Sequence, residues 1–133
     1  MGYKFEKLAV WQAALDYDGV LYDIAAHLPA AETYNLRSQM QRASTSISLN
    51  IAEGAVGQHD REQARFLGYA IRSVIETVAC LHLACRRGYL ARSDAAYMRA
   101  YQMSEHLFRQ LCAMRRAIDP QAGWVSEDSP DYG

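Results

Sequence analysis

Five polar residues recur along one predicted helix at spacings that place them on a single face. In the stretch SQMQRASTSISLNIAEG (38–54) they follow one another at steps of 3, 4, 4 and 3: Gln39, Arg42, Ser46, Asn50 and Glu53. On a helix of about 3.6 residues per turn, this polar stripe lies beside the apolar line of Met40, Ala43, Ile47 and Ile51. A guanidinium, a hydroxyl, an amide and a carboxylate in one row can donate and accept hydrogen bonds.

Two roles are consistent with the polar stripe, and the sequence leaves both open. If the groups are half-buried, Arg42 can donate to Glu53 or to Glu76 of a neighbouring helix. Such a network would fix helix register or select partners rather than add much stability, because desolvation offsets the Coulombic attraction. If the groups are exposed, the same row could contact phosphates and bases, although the carboxylate of Glu53 disfavours a purely phosphate-binding role.

Apolar residues alternate at steps of four and three in four segments, which predicts four helices and no strands. We expect an antiparallel up-and-down four-helix bundle over residues 1–119, since the connections are short. Pro29 closes the first helix, and the second runs from about Thr33 to Glu53 with Gly54 as a left-handed cap. Asp60 with Gln63 predicts a capping box for the third helix, Gly88 follows its last turn, Ser93 caps the fourth and Pro120 stops it.

Two of these helices carry more apolar surface than one core requires. Helix 1 adds a second face formed by Leu8, Trp11, Leu15 and Tyr22. Helix 3 adds, beside Phe66, a line of small residues formed by Ala70, Ser73, Thr77 and Ala84. These faces indicate either a wide core stripe or an interface between copies of the chain.

Composition and charge narrow the class of protein. The 133 residues are 50% hydrophobic and suffice for one globular domain. Residues 1–119 hold 14 basic and 12 acidic groups, whereas 120–133 carry only the acids Glu127, Asp128 and Asp131 and are predicted to form a disordered tail. We expect a cytoplasmic protein without a membrane span, because no long apolar run or signal core is present.

Several kinds of chemistry lack the residues that they need. No Glu-x-x-His pair is available for a di-iron site, and no nucleotide-binding glycine-rich motif or nucleophile–base pairing occurs. His82 is expected at the edge of the core rather than at a phosphotransfer surface. The three cysteines are expected to be reduced and mostly buried. We therefore predict a protein that is not an enzyme and that uses no metal and no cofactor.

Basic and aromatic residues are predicted to meet at one end of the bundle. An antiparallel topology brings the start of helix 2 next to the connection between helices 3 and 4. The candidate RNA-binding residues there, named the basic end below, are Arg37, Arg86, Arg87, Arg92, Tyr34 and Tyr89. Arginines can contact phosphates while tyrosine rings stack on unpaired bases. The alternative is a solvated loop region in which cations favour a helix C-terminus.

The motif of helix 2 also carries a family resemblance. The segments FEKLAVWQAAL, LPAAETYNLRSQMQRASTSISLNIAEG and FLGYAIRSVIETVACLHLACRRGYL resemble four-helix-bundle proteins encoded in intervening sequences of bacterial 23S ribosomal RNA genes. The pattern L-x-x-Q-x-x-R-A-x-x-S-I-x-x-N-I-A-E-G matches Leu36 through Gly54 almost position by position. The resemblance covers about residues 5 to 118 and leaves the acidic tail outside.

The resemblance implies a fold and an assembly more than a function. Most members of the family have no established biochemical role. The family looks like a homopentameric ring, and its distant relatives include accessory proteins of diversity-generating retroelements, which bind nucleic acid and a reverse transcriptase. The residues that match the family motif, and that we predict to form a structural polar network, are Gln39, Arg42, Ser46, Asn50, Glu53, Ser73 and Glu76, together with Gly54.

Two hypotheses follow from the sequence. The first is a non-enzymatic homo-oligomer, a pentamer as the resemblance implies, that binds RNA or an RNA-containing partner. The alternative is a structural or protein-interaction scaffold without nucleic-acid binding.

Overall fold

The computed structural model describes residues 2–56 and 59–121, and four helices make up most of this part of the chain. They are α1 (Ala9–Ala26), α2 (Leu36–Val56), α3 (Asp60–Arg86) and α4 (Ala95–Ile118), with 3₁₀ turns at Lys4–Lys7 and Ala30–Glu32. No strand occurs within these ranges, which confirms the all-α prediction. The predicted acidic tail lies almost wholly outside the described residues.

The helices pack as a four-sided bundle in chain order. Helix α2 packs most extensively on α3, α4 packs on α3, and α1 lies against α2 and α4. The predicted apolar stripes form the core, in which Leu21, Ile47, Ile71 and Leu111 are fully buried. Across the diagonal, the hydroxyls of Tyr17 on α1 and Thr77 on α3 lie 2.7 Å apart. Burial raises the pKa of Tyr17 to about 12, so this hydroxyl stays protonated.

Gly54 does not cap α2, contrary to the sequence-based prediction. The helix continues to Val56, and Gly54 is buried against α3. A Cβ atom at this position would lie 2.9 Å from Cβ of Phe66 and 3.3 Å from the carbonyl oxygen of Gln63. The glycine is therefore required by the close approach of two helices rather than by a left-handed backbone.

Three predicted helix starts were also wrong by one to three residues. Helix α2 begins at Leu36 rather than near Thr33, because the 3₁₀ turn Ala30–Glu32 precedes it. The N-cap of α3 is His59, so Asp60 lies inside the helix and makes no capping box with Gln63. For α4 the N-cap is Asp94 instead of Ser93.

The small-residue line of helix 3 is mainly a packing face within one chain. Ala70, Thr77 and Ala84 have no exposed surface, and Ser73 contacts Ser46 of α2. Small side chains let the two backbones approach closely, which explains the extensive α2–α3 contact. Of the two alternatives, the wide core stripe therefore holds for the buried members of this line.

Candidate functional site

Glu32 is the centre of the basic end. Although carboxylates are seldom buried, only 6% of this residue is exposed. Its Oε1 accepts hydrogen bonds from Asn35 Nδ2 at 2.9 Å and from the Leu36 backbone N–H at 3.3 Å. Its Oε2 accepts from Tyr89 Oη at 2.9 Å and pairs with Arg87 Nη1 at 3.2 Å. One carboxylate thus joins the start of α2 to the connection between α3 and α4.

Gly88 positions the two side chains that reach Glu32. Its φ of 81° is the left-handed geometry that glycine adopts without strain. The backbone N–H of Tyr89 donates to the Ala84 carbonyl at 2.9 Å, and that of Gly88 donates to the Cys85 carbonyl at 3.0 Å. This pair of bonds is a Schellman motif, which ends α3 and turns the chain back toward α2.

The hydrogen bonds at Glu32 also set its protonation. Donation from the Tyr89 hydroxyl is the largest cause that lowers the pKa of Glu32, with further donation from Leu36 and Asn35 and the charge of Arg87. Burial acts in the opposite direction but is outweighed. The same hydrogen bond raises the pKa of Tyr89. Both groups therefore keep the protonation states that this contact needs at neutral pH.

The other members of the basic end divide into engaged and exposed side chains. Arg37 donates from Nη2 to the Leu28 carbonyl oxygen. Arg92 donates to the Tyr97 hydroxyl at 3.0 Å, and its guanidinium also lies over the Tyr97 ring. By contrast, Arg86 is exposed, and Tyr34 is 96% exposed. These last two are the side chains most available to a ligand.

The polar stripe lies along the edge of α2 that faces α3. Ser46 and Ser73 are hydrogen-bonded through their hydroxyls, and Asn50 Nδ2 donates to the Ser46 carbonyl at 2.8 Å. The remaining members of the predicted network are exposed on the single chain: Gln39, Arg42, Glu53 and Glu76. Within the described residues, Arg42 is not hydrogen-bonded to Asn50, Glu53 or Glu76. A role for these four at a contact between copies remains a prediction.

The second face of helix 1 is partly exposed. Leu15 is 39% and Tyr22 is 41% exposed, while Trp11 packs edge-on against Phe5 with ring centroids 4.9 Å apart. On the adjacent α2, Leu49 is 62% exposed. These side chains form an apolar surface on the α1–α2 side of the bundle, which we name the α1–α2 face.

A groove between α3 and α4 was missed by the sequence analysis. It has a volume of about 350 Å³ and is lined by Val74, Ile75, Val78, Ala79, His82, Tyr101, Ser104, Glu105 and Phe108. His82 is exposed at its rim, with its ring 6.2 Å from that of Tyr101. The prediction that His82 is a core-edge residue was therefore wrong. The groove depends on how α3 and α4 are aligned along their lengths, and this alignment was not predicted from the sequence.

The histidine, cysteine and acidic residues of the described ranges were compared with the arrangements that metal binding and thiol chemistry need. No group of three or more histidine, cysteine or acidic residues is placed to bind a metal ion there. All three cysteines are free thiols; Cys80 is buried, and Cys85 and Cys112 are half-buried. Burial raises the pKa of Cys80 to about 11, which leaves it as an unreactive thiol at neutral pH.

One helix meets the length and hydropathy requirements of a membrane span. Among the residues described, this is helix α3, which qualifies by length and composition only. Its apolar residues, including Leu67, Ile71 and Leu81, are buried between α2 and α4. Packing in the bundle core accounts for this composition.

Comparison with known proteins agrees with the sequence resemblance. The model of the 23S rRNA-intervening sequence protein family matches residues 6–113. A solved structure from Bacteroides thetaiotaomicron VPI-5482, a protein of unknown function from the S23 ribosomal protein family, shares the fold with a TM-score of 0.74. It is 22% identical and covers 81% of this chain and 99% of its own. No curated protein matches.

Proposed function

Because the chain belongs to the 23S rRNA-intervening sequence protein family, we propose that it is a non-enzymatic homo-oligomer that binds RNA through its basic end. The observation that carries this proposal is the side-chain arrangement around Glu32. Arg87 and Tyr89 are held in place by the carboxylate, so little side-chain entropy is lost when a ligand binds. Exposed Arg86 and Tyr34 extend the same surface.

The chemistry of this surface fits single-stranded RNA. Guanidinium groups contact phosphates, and an exposed tyrosine ring such as Tyr34 can stack on an unpaired base. The positive charge is modest, since Glu32, Asp23 and Asp94 lie among the arginines. A closed ring would repeat the surface once per subunit, and multivalent contact would then strengthen weak individual sites.

We expect RNA binding to be salt-dependent and to need Arg86. Three to four phosphate contacts per subunit give a slope of log K against log salt of roughly −2 to −3 for single strands. Arg86→Glu should make the slope shallower by about 0.7, because one contact is lost. Arg87 is unsuitable as the first variant, since a second carboxylate there would face Glu32. Fluorescence polarisation with single-stranded and structured ribosomal RNA fragments measures both quantities.

Lys4→Glu is the matched control for this experiment. Lys4 is exposed at the opposite end of the bundle, and its replacement changes the net charge by the same amount. We expect it to leave the slope unchanged. If wild type shows no RNA affinity near physiological salt, the proposal is wrong.

Self-association is the second part of the proposal, and the α1–α2 face supports it. Leu15, Tyr22 and Leu49 present exposed apolar surface that association would bury. We expect light scattering to give about five times the chain mass of 15.0 kDa. Leu49→Glu should reduce that mass, whereas Gln102→Glu on the exposed side of α4 should not. A wild-type mass near 15.0 kDa would contradict the proposal.

The same apolar face favours an alternative function, a scaffold that binds other proteins. In that case Leu49→Glu would weaken capture of a protein partner, and RNA affinity would be absent for both wild type and Arg86→Glu. A crosslinking pull-down from native cells that reads both RNA and protein separates the two functions.

A further inference from the structure

The α3–α4 groove lies between two contacts that join its helices. At one end Arg115 Nε donates to the Ala64 carbonyl at 2.8 Å. At the other end the His82 and Tyr101 rings meet edge to face. Between these contacts, Ala79 and Ser104 are too small to fill the space between the helices. A cavity of about 350 Å³ remains, at the lower end of the range for small-ligand sites.

The groove combines apolar side chains with aromatic rings and one carboxylate. Val74, Val78 and Phe108 supply apolar walls, while His82, Tyr101 and Glu105 add two rings and a carboxylate. Tyr101 also stacks on Tyr97, with ring centroids 5.9 Å apart and planes 27° from parallel. Aromatic rings beside an apolar cleft are the surface on which an unpaired base stacks.

Exposed arginines lie along the helices on both sides of the groove. On α4, Arg109 and Arg116 are seven residues apart and so share a face with Glu105, at about 6 Å and 16 Å along the axis. On α3, Arg61 is within one turn of Ala64, whose carbonyl accepts from Arg115, so Arg61 and Arg116 lie at the same end of the helix pair. In the other direction Arg86 is about 16 Å beyond Ile75, at the basic end.

We propose that the α3–α4 groove binds one unpaired nucleotide of a single-stranded RNA. The base enters the groove against Tyr101 and His82, and Glu105 accepts from its exocyclic amino group. The phosphates on one flank contact Arg109 and Arg116, and those on the other contact Arg86. This inference rests on the proposed RNA binding and deepens it, because His82 at the rim of the groove is four residues, about 6 Å along α3, from Arg86 of the basic end.

Charge complementarity decides the class of ligand. A second copy of the chain or an apolar peptide would fill the groove but would make no use of the exposed arginines that flank it, Arg61, Arg109 and Arg116, which outnumber Glu105, the acid among the lining residues. A polyanion with planar apolar rings satisfies the arginines and the groove together. Single-stranded RNA has both properties, whereas in double-stranded RNA the bases are stacked away from such a cleft.

The test uses the full chain and a fluorescent single-stranded ribosomal RNA fragment. Arg109→Glu with Arg116→Glu should make the salt slope shallower by about 1.4 and weaken binding roughly tenfold near 0.15 M salt, because two phosphate contacts are lost. Ile75→Glu, which places a charge at the mouth of the groove, should weaken binding of an unpaired segment roughly tenfold. The same variant should leave the affinity for a fully paired duplex unchanged.

Two controls match these variants. Lys4→Glu with Lys7→Glu makes the same change in net charge at exposed positions of the 3₁₀ turn, and Val56→Glu makes an apolar-to-acid change on exposed α2. Both should bind RNA as wild type does.

The outcomes separate this inference from the proposed function. Loss of binding in Arg86→Glu with none in the groove variants would overturn the inference and leave the basic end as the binding surface. A changed oligomeric mass in Ile75→Glu, with unchanged RNA affinity, would identify the groove as a contact between copies and overturn the inference. Absence of RNA binding by wild type would overturn both.

Discussion

Gly54→Ala is expected to lower the free energy of unfolding by about 1–3 kcal/mol. The added Cβ would lie 2.9 Å from Cβ of Phe66, which cannot move without shifting its helix. Alanine normally stabilises a helix relative to glycine by about 1 kcal/mol, so the close contact between α2 and α3 must outweigh that gain. Urea denaturation at one fixed protein concentration measures the change, since association also contributes to stability.

Gly19→Ala is the matched control for this prediction. Gly19 also lies within a helix, but a Cβ there would meet no atom within 4 Å. We expect the substitution to raise the free energy of unfolding by about 0.5–1 kcal/mol. If both variants were stabilised, the close approach of α2 and α3 at Gly54 would not be tight in solution.

Glu32→Gln is expected to lower the melting temperature at pH 7 by several degrees. The amide keeps the shape of the side chain but loses the charge that Arg87 pairs with and one of the acceptors in the cluster. Either the Tyr89 hydroxyl and the Arg87 guanidinium would then face an amide NH2 group instead of a carboxylate oxygen, or the buried Leu36 N–H would lose its acceptor, and both changes are unfavourable. Glu105→Gln is the control, because Glu105 is an exposed carboxylate on α4, and the melting temperature of this variant should match that of wild type.

The effect of Glu32→Gln should also depend on pH in a defined direction. The folded-state pKa of Glu32 is lowered from 4.5, so its contribution is fully present above about pH 4.5. It is lost as the pH falls through the folded-state pKa, because the carboxylate is then protonated in both states. Circular-dichroism melts from pH 7 downward should therefore show that the difference in melting temperature between wild type and variant narrows below about pH 4.5. If the two melting temperatures were equal at pH 7, or if their difference grew as the pH fell, the role given to Glu32 would be contradicted.

The periodicity of the sequence predicted the helices and the core well, because burial of one face is a local pattern. Met40, Ala43, Ile47 and Ile51 were assigned to one apolar line and are buried. The helix starts were predicted less well. Residues that can cap, such as Ser93 and Asp94, stand next to each other, and tertiary contacts decide which one is used.

The candidate sites could be predicted only in part, because their contacts join distant segments. Arg87 and Tyr89 were expected at the basic end, but their partner Glu32 lies 55 and 57 residues away in the sequence, and no local pattern connects it to them. The α3–α4 groove depends on the register between two helices, which no single segment encodes. The seven-residue spacing of Arg109 and Arg116 was the one signal available for it.

The pair of hydroxyls between Tyr17 and Thr77 has a consequence for folding to a unique structure. The backbones of α1 and α3 do not approach each other within the described ranges, so apolar packing alone would tolerate a slip of one helical turn between them. Such a slip, of about 5.4 Å, would separate the two hydroxyls inside the core, each at a cost of roughly 1–3 kcal/mol if it found no other partner. Thr77 can still bond to the Val74 carbonyl of its own helix, so most of the penalty falls on Tyr17. The contact adds little stability to the native bundle, but it widens the energy gap to misregistered bundles that would otherwise compete with it.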